Sequence, residues 1–144
     1  MVDDRQLPDY FEFASRVLDD DFTYESGSRC VASVTQGKIR AVVIYSFMTK
    51  HACCMSVASD GSKRWLSRSF LRAVFAVPFA QWGMSRVTAL VRPTNEAALG
   101  FDRNLGFKCE GRMRAAFGDE DAIIFGMTRE ECRFLESRYG QERA

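Results

Sequence analysis

Hydrophobic positions in the first third of the chain change from a helical spacing to a strand spacing. Residues 8 to about 19 carry an apolar stripe at helical intervals, with proline at a first-turn position that tolerates it, and predict an amphipathic helix. Two β-rich runs follow at residues 29–35 and 39–48, and the short Gly37-Lys38 turn between them predicts an antiparallel hairpin. A third strand is predicted over about residues 52–59.

The next segment is the longest apolar pattern with helical spacing. Residues 62 to about 82 predict a helix that lies across the sheet, and Gly83 closes it. Pro78 must kink or split this helix, because it cannot donate to the carbonyl four residues back. The apolar face comprises Trp65, Leu66, Phe70, Leu71, Val74, Phe75, Phe79 and Trp82.

A strand, a short helix and another strand follow without a long loop. Residues 87–91 alternate between apolar and polar side chains, which predicts a strand that Pro93 ends. Asn95 opens a short helix with apolar residues at helical spacing, and Gly106 stops it. The next strand begins at Phe107.

The last part of the pattern predicts a second hairpin and a helix. A polar turn at residues 118–121 precedes a strand over residues 122–127. Thr128 and Glu131 have the capping-box spacing of a final helix that runs to about Tyr139. The predicted order begins with strands and continues with a helix, a strand, a helix and two strands. This order predicts a mixed α/β layer structure.

Composition narrows the possible roles. The 144 residues suit one domain, spanning residues 1–144. Lys and Arg number 20 against 19 Asp and Glu, so no basic excess favours nucleic acid as a partner. The sequence contains no apolar run of the roughly 18 residues that span a bilayer, and its first ten residues are acidic. We therefore expect no membrane association and a cytoplasmic location.

The cysteines do not predict a disulfide framework or a metal site. They are five, an odd number, and no two of them form a Cys-x-x-Cys pair, which argues against zinc. Cys53 and Cys54 are adjacent, so on a strand they point to opposite faces. A nucleophilic cysteine partnered by His51 is one hypothesis, and ordinary packing is the interpretation that we favour.

The stretch from residue 85 to residue 112 carries the most specific pattern. Asn95 opens the short helix, Ala98 follows three residues later, and Leu105-Gly106-Phe107 stand at the helix exit. This order resembles the second half of a GNAT acyltransferase, and Glu110-Gly111-Arg112 is similar to a variant found in ribosomal-protein N-acetyltransferases. The resemblance covers about residues 29–127. It implies a GNAT fold, with a mixed, mostly antiparallel sheet flanked by helices on both faces.

The resemblance also implies where acetyl-CoA lies, namely in the cleft where the fourth and fifth strands splay. Its arm would pair along residues 56–59, and its pyrophosphate would sit at the start of the following helix. The family's Gln/Arg-x-x-Gly-x-Gly/Ala motif falls on residues 62–67, where Trp65 and Ser67 replace the small residues. Trp65 either blocks the pyrophosphate or points into the core. The candidate cofactor-binding residues are Val57, Ala58, Ser59, Lys63, Arg64, Trp65, Arg68, Asn95 and Phe101.

The catalytic positions that the resemblance implies are also unusual. Ribosomal-protein N-acetyltransferases use a strand Glu as base and a helix Tyr as acid, and the matching positions here are Leu90 and Asp102. Leu90 cannot accept a proton, whereas Asp102 can protonate a thiolate only if burial raises its pKa, or can serve as a base. His51 and Glu110 are the other candidates. Glu110 either orients an amine or only pairs with Arg112 or Arg114. Asn95 either binds the cofactor arm or only caps its helix.

Two functions fit these observations. The first is an acyl-CoA-dependent N-acetyltransferase that moves acetyl from acetyl-CoA, without a metal, to a primary amine of a protein or small molecule. The second is a catalytically degenerate GNAT-fold protein that acts by binding another protein. Two segments, SKRWLSRSFL and FAVPFAQWG, resemble small acetyltransferase-like proteins of bacteriophages, which would make the target a host protein and the compartment the host cytoplasm. Monomer and homodimer both remain open. Tyr10, Phe11, Trp82 and Phe134 would form the contact patch if the fold leaves them exposed.

Overall fold

The structure, a computed structural model, describes residues 1–63 and 65–135. Within these residues the strands are β1 (Val2–Asp3), β2 (Arg29–Thr35), β3 (Lys38–Ser46), β4 (Ala52–Ser59), β5 (Arg86–Val91), β6 (Lys108–Met113) and β7 (Ala122–Thr128). They form a seven-stranded sheet with the order β1-β2-β3-β4-β5-β7-β6, in which only the β4–β5 pair is parallel. The predicted mixed, mostly antiparallel sheet is therefore confirmed.

In the described part of the chain, three α-helices cover the sheet from its two sides. They are α1 (Pro8–Leu18), α2 (Arg68–Ala76) and α3 (Glu96–Leu105). Tyr10, Phe11 and Ala14 of α1 pack on one face, which we call the α1 face, mainly over β2, β3 and β4. Both other helices pack on the opposite face, the α2–α3 face, where the larger core lies. Helices on both faces agree with the fold class expected from the sequence.

The long helix predicted from residue 62 is wrong at its start. Helix α2 begins at Arg68, because the Ser67 side chain accepts a hydrogen bond from the Phe70 N–H at 3.1 Å and so caps the first turn. At the other end the effect expected of Pro78 is confirmed. The helix widens into a π-helical turn over Val77–Gln81, in which the Trp82 N–H bonds to the Val77 carbonyl at 3.0 Å.

The final helix is also shorter than predicted. The capping box of Thr128 and Glu131 is present, yet it closes only a 3₁₀ turn over Arg129–Glu131. Cys132 already has extended backbone angles, so residues 132–135 are not helical. The rest of the predicted helix, to about Tyr139, lies outside the described residues.

The strand β1 has no hydrophobic pattern that would predict it, and a polar cluster holds it in place. The buried Asp3 carboxylate receives two hydrogen bonds from the Arg5 Nε, at 3.0 and 3.1 Å, one from the Arg5 Nη2, at 2.7 Å, and another from the Tyr10 hydroxyl. The Arg5 guanidinium and then the Tyr10 hydroxyl hold the pKa of Asp3 well below its usual range. This cluster joins β1 to α1.

Removing the Tyr10 hydroxyl should therefore destabilise the protein. We expect Tyr10→Phe to lower the free energy of unfolding by about 1.5–3 kcal/mol at pH 7, because the buried carboxylate loses a donor. Asp3 has a lowered pKa in the folded state, so its stabilisation is present above the unfolded pKa and is lost as the pH falls. The loss in the variant should thus shrink in acid. Urea unfolding at pH 7 and at about pH 2, well below the unfolded pKa of about 3.9, measures both effects, and Tyr24→Phe, at an exposed tyrosine, should change neither.

Candidate functional site

The two parallel strands of the sheet stay together for only three residue pairs. Ala52, Cys53 and Cys54 of β4 are aligned with the first three residues of β5, and the strands part beyond Cys54 and Thr88. Strand β4 then follows β3 as far as Ser59, while β5 follows β7 as far as Val91. The β4 edge beyond Cys54 consequently has no strand partner on its β5 side among the described residues. An extended ligand arm could add to this edge as a strand does.

The three candidate residues on this edge face different surroundings. Ala58 is fully buried on the α1 face, so only its backbone could meet a ligand in the cleft. Val57 is half-buried against the larger core, and Ser59 is half-buried at the end of the strand. The edge therefore offers mainly backbone groups, as the sequence interpretation requires.

The loop between β4 and α2 is held by a turn at its start. The Asp60 carboxylate accepts from the Ser62 N–H at 2.9 Å and from the Ser62 hydroxyl at 2.6 Å. These hydrogen bonds lower the pKa of Asp60. Gly61 allows the turn with a φ of +89°. Lys63 is exposed in this loop and Arg68 is exposed in the first turn of α2, where free backbone N–H groups and the helix dipole favour an anion. Arg64 lies outside the described residues.

Trp65 does not project from this loop. Its side chain is buried, and its ring meets the rings of Phe70 and Phe101 edge-on, with centroids 6.1 and 5.6 Å away. The indole Nε1 donates to the Ser62 carbonyl at 2.8 Å. Of the two alternatives, packing into the core is therefore the one found. The indole also joins the loop after β4 to helix α3.

Helix α3 carries Phe101 and Asp102, and Asn95 directly precedes its first residue. The exposed Asn95 side chain accepts from the Ala98 N–H at 3.1 Å, so it caps the helix. Phe101 is half-buried, and its ring is part of the contact with Trp65. Cofactor contact by either side chain stays a prediction.

Asp102 is the most unusual carboxyl group of the described chain. Its residue is 8% exposed on the sheet-facing side of α3, together with the buried Leu105. No hydrogen bond or ion pair involves this side chain within the residues that the structure describes. Burial alone raises its pKa to about 7. The group therefore exchanges a proton near neutral pH, as acid or base chemistry requires.

Glu110 pairs with a residue that the sequence interpretation did not consider. It accepts from Arg86 Nη2 at 2.6 Å and from Nη1 at 3.2 Å, whereas Arg112 binds Asp121. Of the two alternatives for Glu110, pairing with Arg112 or Arg114 is thus wrong, because a bulge between Cys109 and Gly111 turns Glu110 across β7 toward β5. The signal in the sequence was Gly126, an isolated glycine inside a strand pattern, which often marks a close approach.

The remaining candidates lie apart from the cleft or are unreactive. His51 is exposed before β4, about 10 Å along the strand from Cys54. Burial raises the pKa of the Cys53 thiol to about 12 and also raises that of Cys54, which disfavours a thiolate nucleophile. A search of the described residues finds no group of side chains suited to a metal ion. It likewise finds no helix with the length and apolar character needed to cross a membrane.

Comparison of the sequence alone finds no relative. No family model matches the chain, and no curated protein has a significantly similar sequence. The fold, in contrast, is similar to several solved structures, and many of these are named as acetyltransferases.

Three of these structures illustrate the similarity. Ard1 from Thermoplasma volcanium has a TM-score of 0.70 at 16% identity, over 89% of this chain and 96% of the other. The ribosomal-protein-S18-alanine N-acetyltransferase from Escherichia coli has a TM-score of 0.65 at 19% identity, over 89% and 92% of the two chains. The N152L mutant of spermidine N-acetyltransferase SpeG from Vibrio cholerae has a TM-score of 0.66 at 13% identity, over 80% and 71%. Together with the strand order and the β4–β5 split, they show that this chain has the fold of the GNAT acetyltransferases.

Proposed function

We propose that the protein is an acyl-CoA-dependent N-acetyltransferase that moves acetyl from acetyl-CoA to a primary amine. The observation that carries the proposal is the split between β4 and β5, which leaves the backbone edge of residues 56–59 free beside a helix N-terminus. The acetyltransferases with the same fold support the same chemistry. The loop after β4 and helix α3, which the Trp65–Phe101 contact joins, both carry polar groups.

The residues present fit such a cofactor in part. The N–H groups at the start of α2, with Lys63 and Arg68 nearby, would hold the pyrophosphate. The unpaired edge of β4 would bind the pantetheine arm, and the Asn95 amide N–H₂ would donate to it from the other side of the split. Trp65 stands at the position where the family motif has glycine, but its indole is packed into the core, so the backbone of this loop rather than the indole would meet the pyrophosphate.

The transfer itself requires one proton to move. The amine nitrogen bonds to the acetyl carbon, the carbon–sulfur bond breaks, and the proton that the amine loses balances the proton that sulfur gains. Asp102 is the group that we assign to protonate sulfur, since burial raises its pKa to about 7 and roughly half of the carboxyl groups then carry a proton at neutral pH. Leu90 cannot act as base, and Glu110 forms an ion pair with Arg86, so we assign no side chain as the base and proximity of the two reactants supplies most of the acceleration.

Calorimetric titration with acetyl-CoA tests the proposal. We expect a dissociation constant on the order of 10 μM for the wild type. Asn95→Ser keeps a helix cap but removes the amide, and should weaken binding at least about threefold, or ~0.7 kcal/mol. Asn104→Ser, at an exposed asparagine near the other end of the same helix, is the matched control and should bind as the wild type does. Absence of binding at about 1 mM acetyl-CoA, a free energy weaker than roughly −4 kcal/mol, would contradict the proposal.

The second candidate is a degenerate GNAT-fold protein, phage-encoded, that binds a host protein. Trp65 in the loop and Leu90 on the strand favour it, because both depart from the family's chemistry. The predicted contact patch does not support it, since Tyr10, Phe11 and Phe134 are buried. Phe47, 81% exposed at the β3–β4 turn, is a better contact point. Failure of acetyl-CoA to bind a folded wild type is the result that would favour this candidate.

A further inference from the structure

A row of three residues crosses the sheet at the point where β4 and β5 part. Cys54, Thr88 and Gly126 are aligned in the sheet register. Their chain neighbours, among them Cys53 and Met127, lie in the larger core on the α2–α3 face. Because successive residues of a strand point to opposite faces, the row belongs to the α1 face.

This part of the α1 face is open. Helix α1 lies over β2, β3 and β4, and no other helix of the described chain packs on this face of β5, β7 or β6. Thr88, Leu90 and Ile124 are only half-buried here. The Arg86 and Glu110 side chains keep 35% and 38% of their surface exposed. We call this surface the open face. It adjoins the split, so an acceptor lying on it would reach an acyl group held there.

Gly126 lets a charge pair lie flat on the open face. A Cβ atom at this position would overlap the Glu110 carboxylate and Arg86 Nη2. Gly126 does not have the positive φ that favours glycine elsewhere in the chain. Glycine is therefore required here by the lack of space for a Cβ atom and not by the backbone conformation. The Arg86–Glu110 ion pair therefore crosses β7 close to the Gly126 backbone, and the outer side of the pair stays exposed to solvent.

The pair can still bind a ligand from its exposed side. Arg86 uses its terminal nitrogens on the two Glu110 oxygens and on the Thr88 hydroxyl at 3.1 Å, out of five N–H donors. A carboxylate has about four acceptor sites, of which Arg86 fills two. One cation and one anion together carry no net charge, which gives a polyamine no electrostatic advantage here.

On this geometry, and resting on the proposed function, we infer that the acceptor is an amine whose neighbouring carbon carries a carbonyl or carboxylate oxygen. Glu110 binds the amine and Arg86 binds the oxygen. A free amino acid and the N-terminus of a polypeptide share this chemistry. Arg86 and Glu110 are then the residues that position the acceptor and set its specificity, and Gly126 keeps the space for them.

Acetyl transfer to three probes tests the inference with the full chain. The probes are alanine, a peptide that begins with alanine, and spermidine, which has no oxygen, and released CoA is measured. We expect kcat/KM for alanine or for the peptide to exceed that for spermidine by at least about tenfold. A higher kcat/KM for alanine would identify a free amino acid as the acceptor, and a higher kcat/KM for the peptide would identify a polypeptide N-terminus. Glu110→Gln and Gly126→Ala should raise the KM of that acceptor about tenfold and leave the KM of acetyl-CoA unchanged.

A control variant, a melting curve and acetyl-CoA calorimetry distinguish failure of this inference from failure of the proposed function. Gly100→Ala, at a helical glycine with open space around it, is the matched control and should leave both KM values unchanged. If Gly126→Ala does not fold, as its melting curve would show, Glu110→Gln decides alone. Absence of acetyl-CoA binding in calorimetry overturns the proposed function and this inference with it. Binding of acetyl-CoA with a preference for spermidine, with no transfer to either α-amine, or with an unchanged acceptor KM in the variants overturns only the inference.

Discussion

Replacing Trp65 by alanine should lower the free energy of unfolding by about 3–5 kcal/mol, the cost usual for a buried tryptophan. The indole is 7% exposed, contacts the rings of Phe70 and Phe101, and donates to the Ser62 carbonyl. Truncation would leave a cavity between the loop after β4 and helices α2 and α3. Urea unfolding followed by circular dichroism measures the loss.

The neighbouring Leu66 provides the control for this variant. Its side chain is 38% exposed in the same loop, so Leu66→Ala should cost less than about 1 kcal/mol. Equal losses in the two variants would show that the indole is not packed as described. Acetyl-CoA binding gives a second, independent result. If the indole hinders the pyrophosphate, Trp65→Ala should bind acetyl-CoA more tightly than the wild type although it is less stable, whereas unchanged affinity would assign Trp65 to the core alone.

The strands could be predicted because their hydrophobic period is simple. Strand β5 buries Val87, Ala89 and Val91 and leaves the residues between them half-exposed, which is the alternation that the sequence shows. The start of α2 could not be placed in the same way. Apolar residues continue upstream of Ser67 at helical spacing, and the helix begins only where the Phe70 N–H donates a hydrogen bond to the Ser67 hydroxyl.

The charge pair on the open face depends on long-range geometry that sequence spacing does not contain. Arg86 and Glu110 are 24 positions apart, and neither has a distinctive sequence context. Their approach requires β7 to run between β5 and β6, a bulge in β6 and the absence of a side chain at Gly126. Of these conditions only the glycine is visible in the sequence. Local pairing with Arg112 or Arg114 therefore looked equally reasonable.

The role of Asp102 was left open by the sequence for a related reason. A helical aspartate is usually exposed and charged, and only its burial, with no partner among the described residues, makes this one a group that titrates near neutral pH. Residue spacing places it on α3 next to Phe101, but it does not reveal how far the surrounding side chains exclude water. Its pKa thus emerges from packing rather than from the sequence pattern.

Stability should therefore fall as the pH rises toward 7, and Asp102→Asn should remove much of this fall. The pKa of Asp102 is raised from 3.8 to about 7, so between these values the folded state holds a proton that the unfolded state has released. The stabilisation from protonation is complete below the unfolded pKa and is lost as the pH rises through the folded pKa. At ~1.4 kcal/mol per pKa unit, the whole interval corresponds to about 4 kcal/mol.

The asparagine side chain has no proton to lose, so the difference in stability between the Asp102→Asn variant and the wild type should depend on pH. We expect the difference in unfolding free energy between Asp102→Asn and the wild type to grow in favour of the variant by about 2–3 kcal/mol from pH 5 to pH 7.5. Urea unfolding at four or five pH values measures it, and Glu96→Gln, an exposed position on the same helix, should follow the wild type throughout. A constant difference for Asp102→Asn would mean that the carboxyl is already charged at pH 5, and it would then have no proton to give to a departing thiolate.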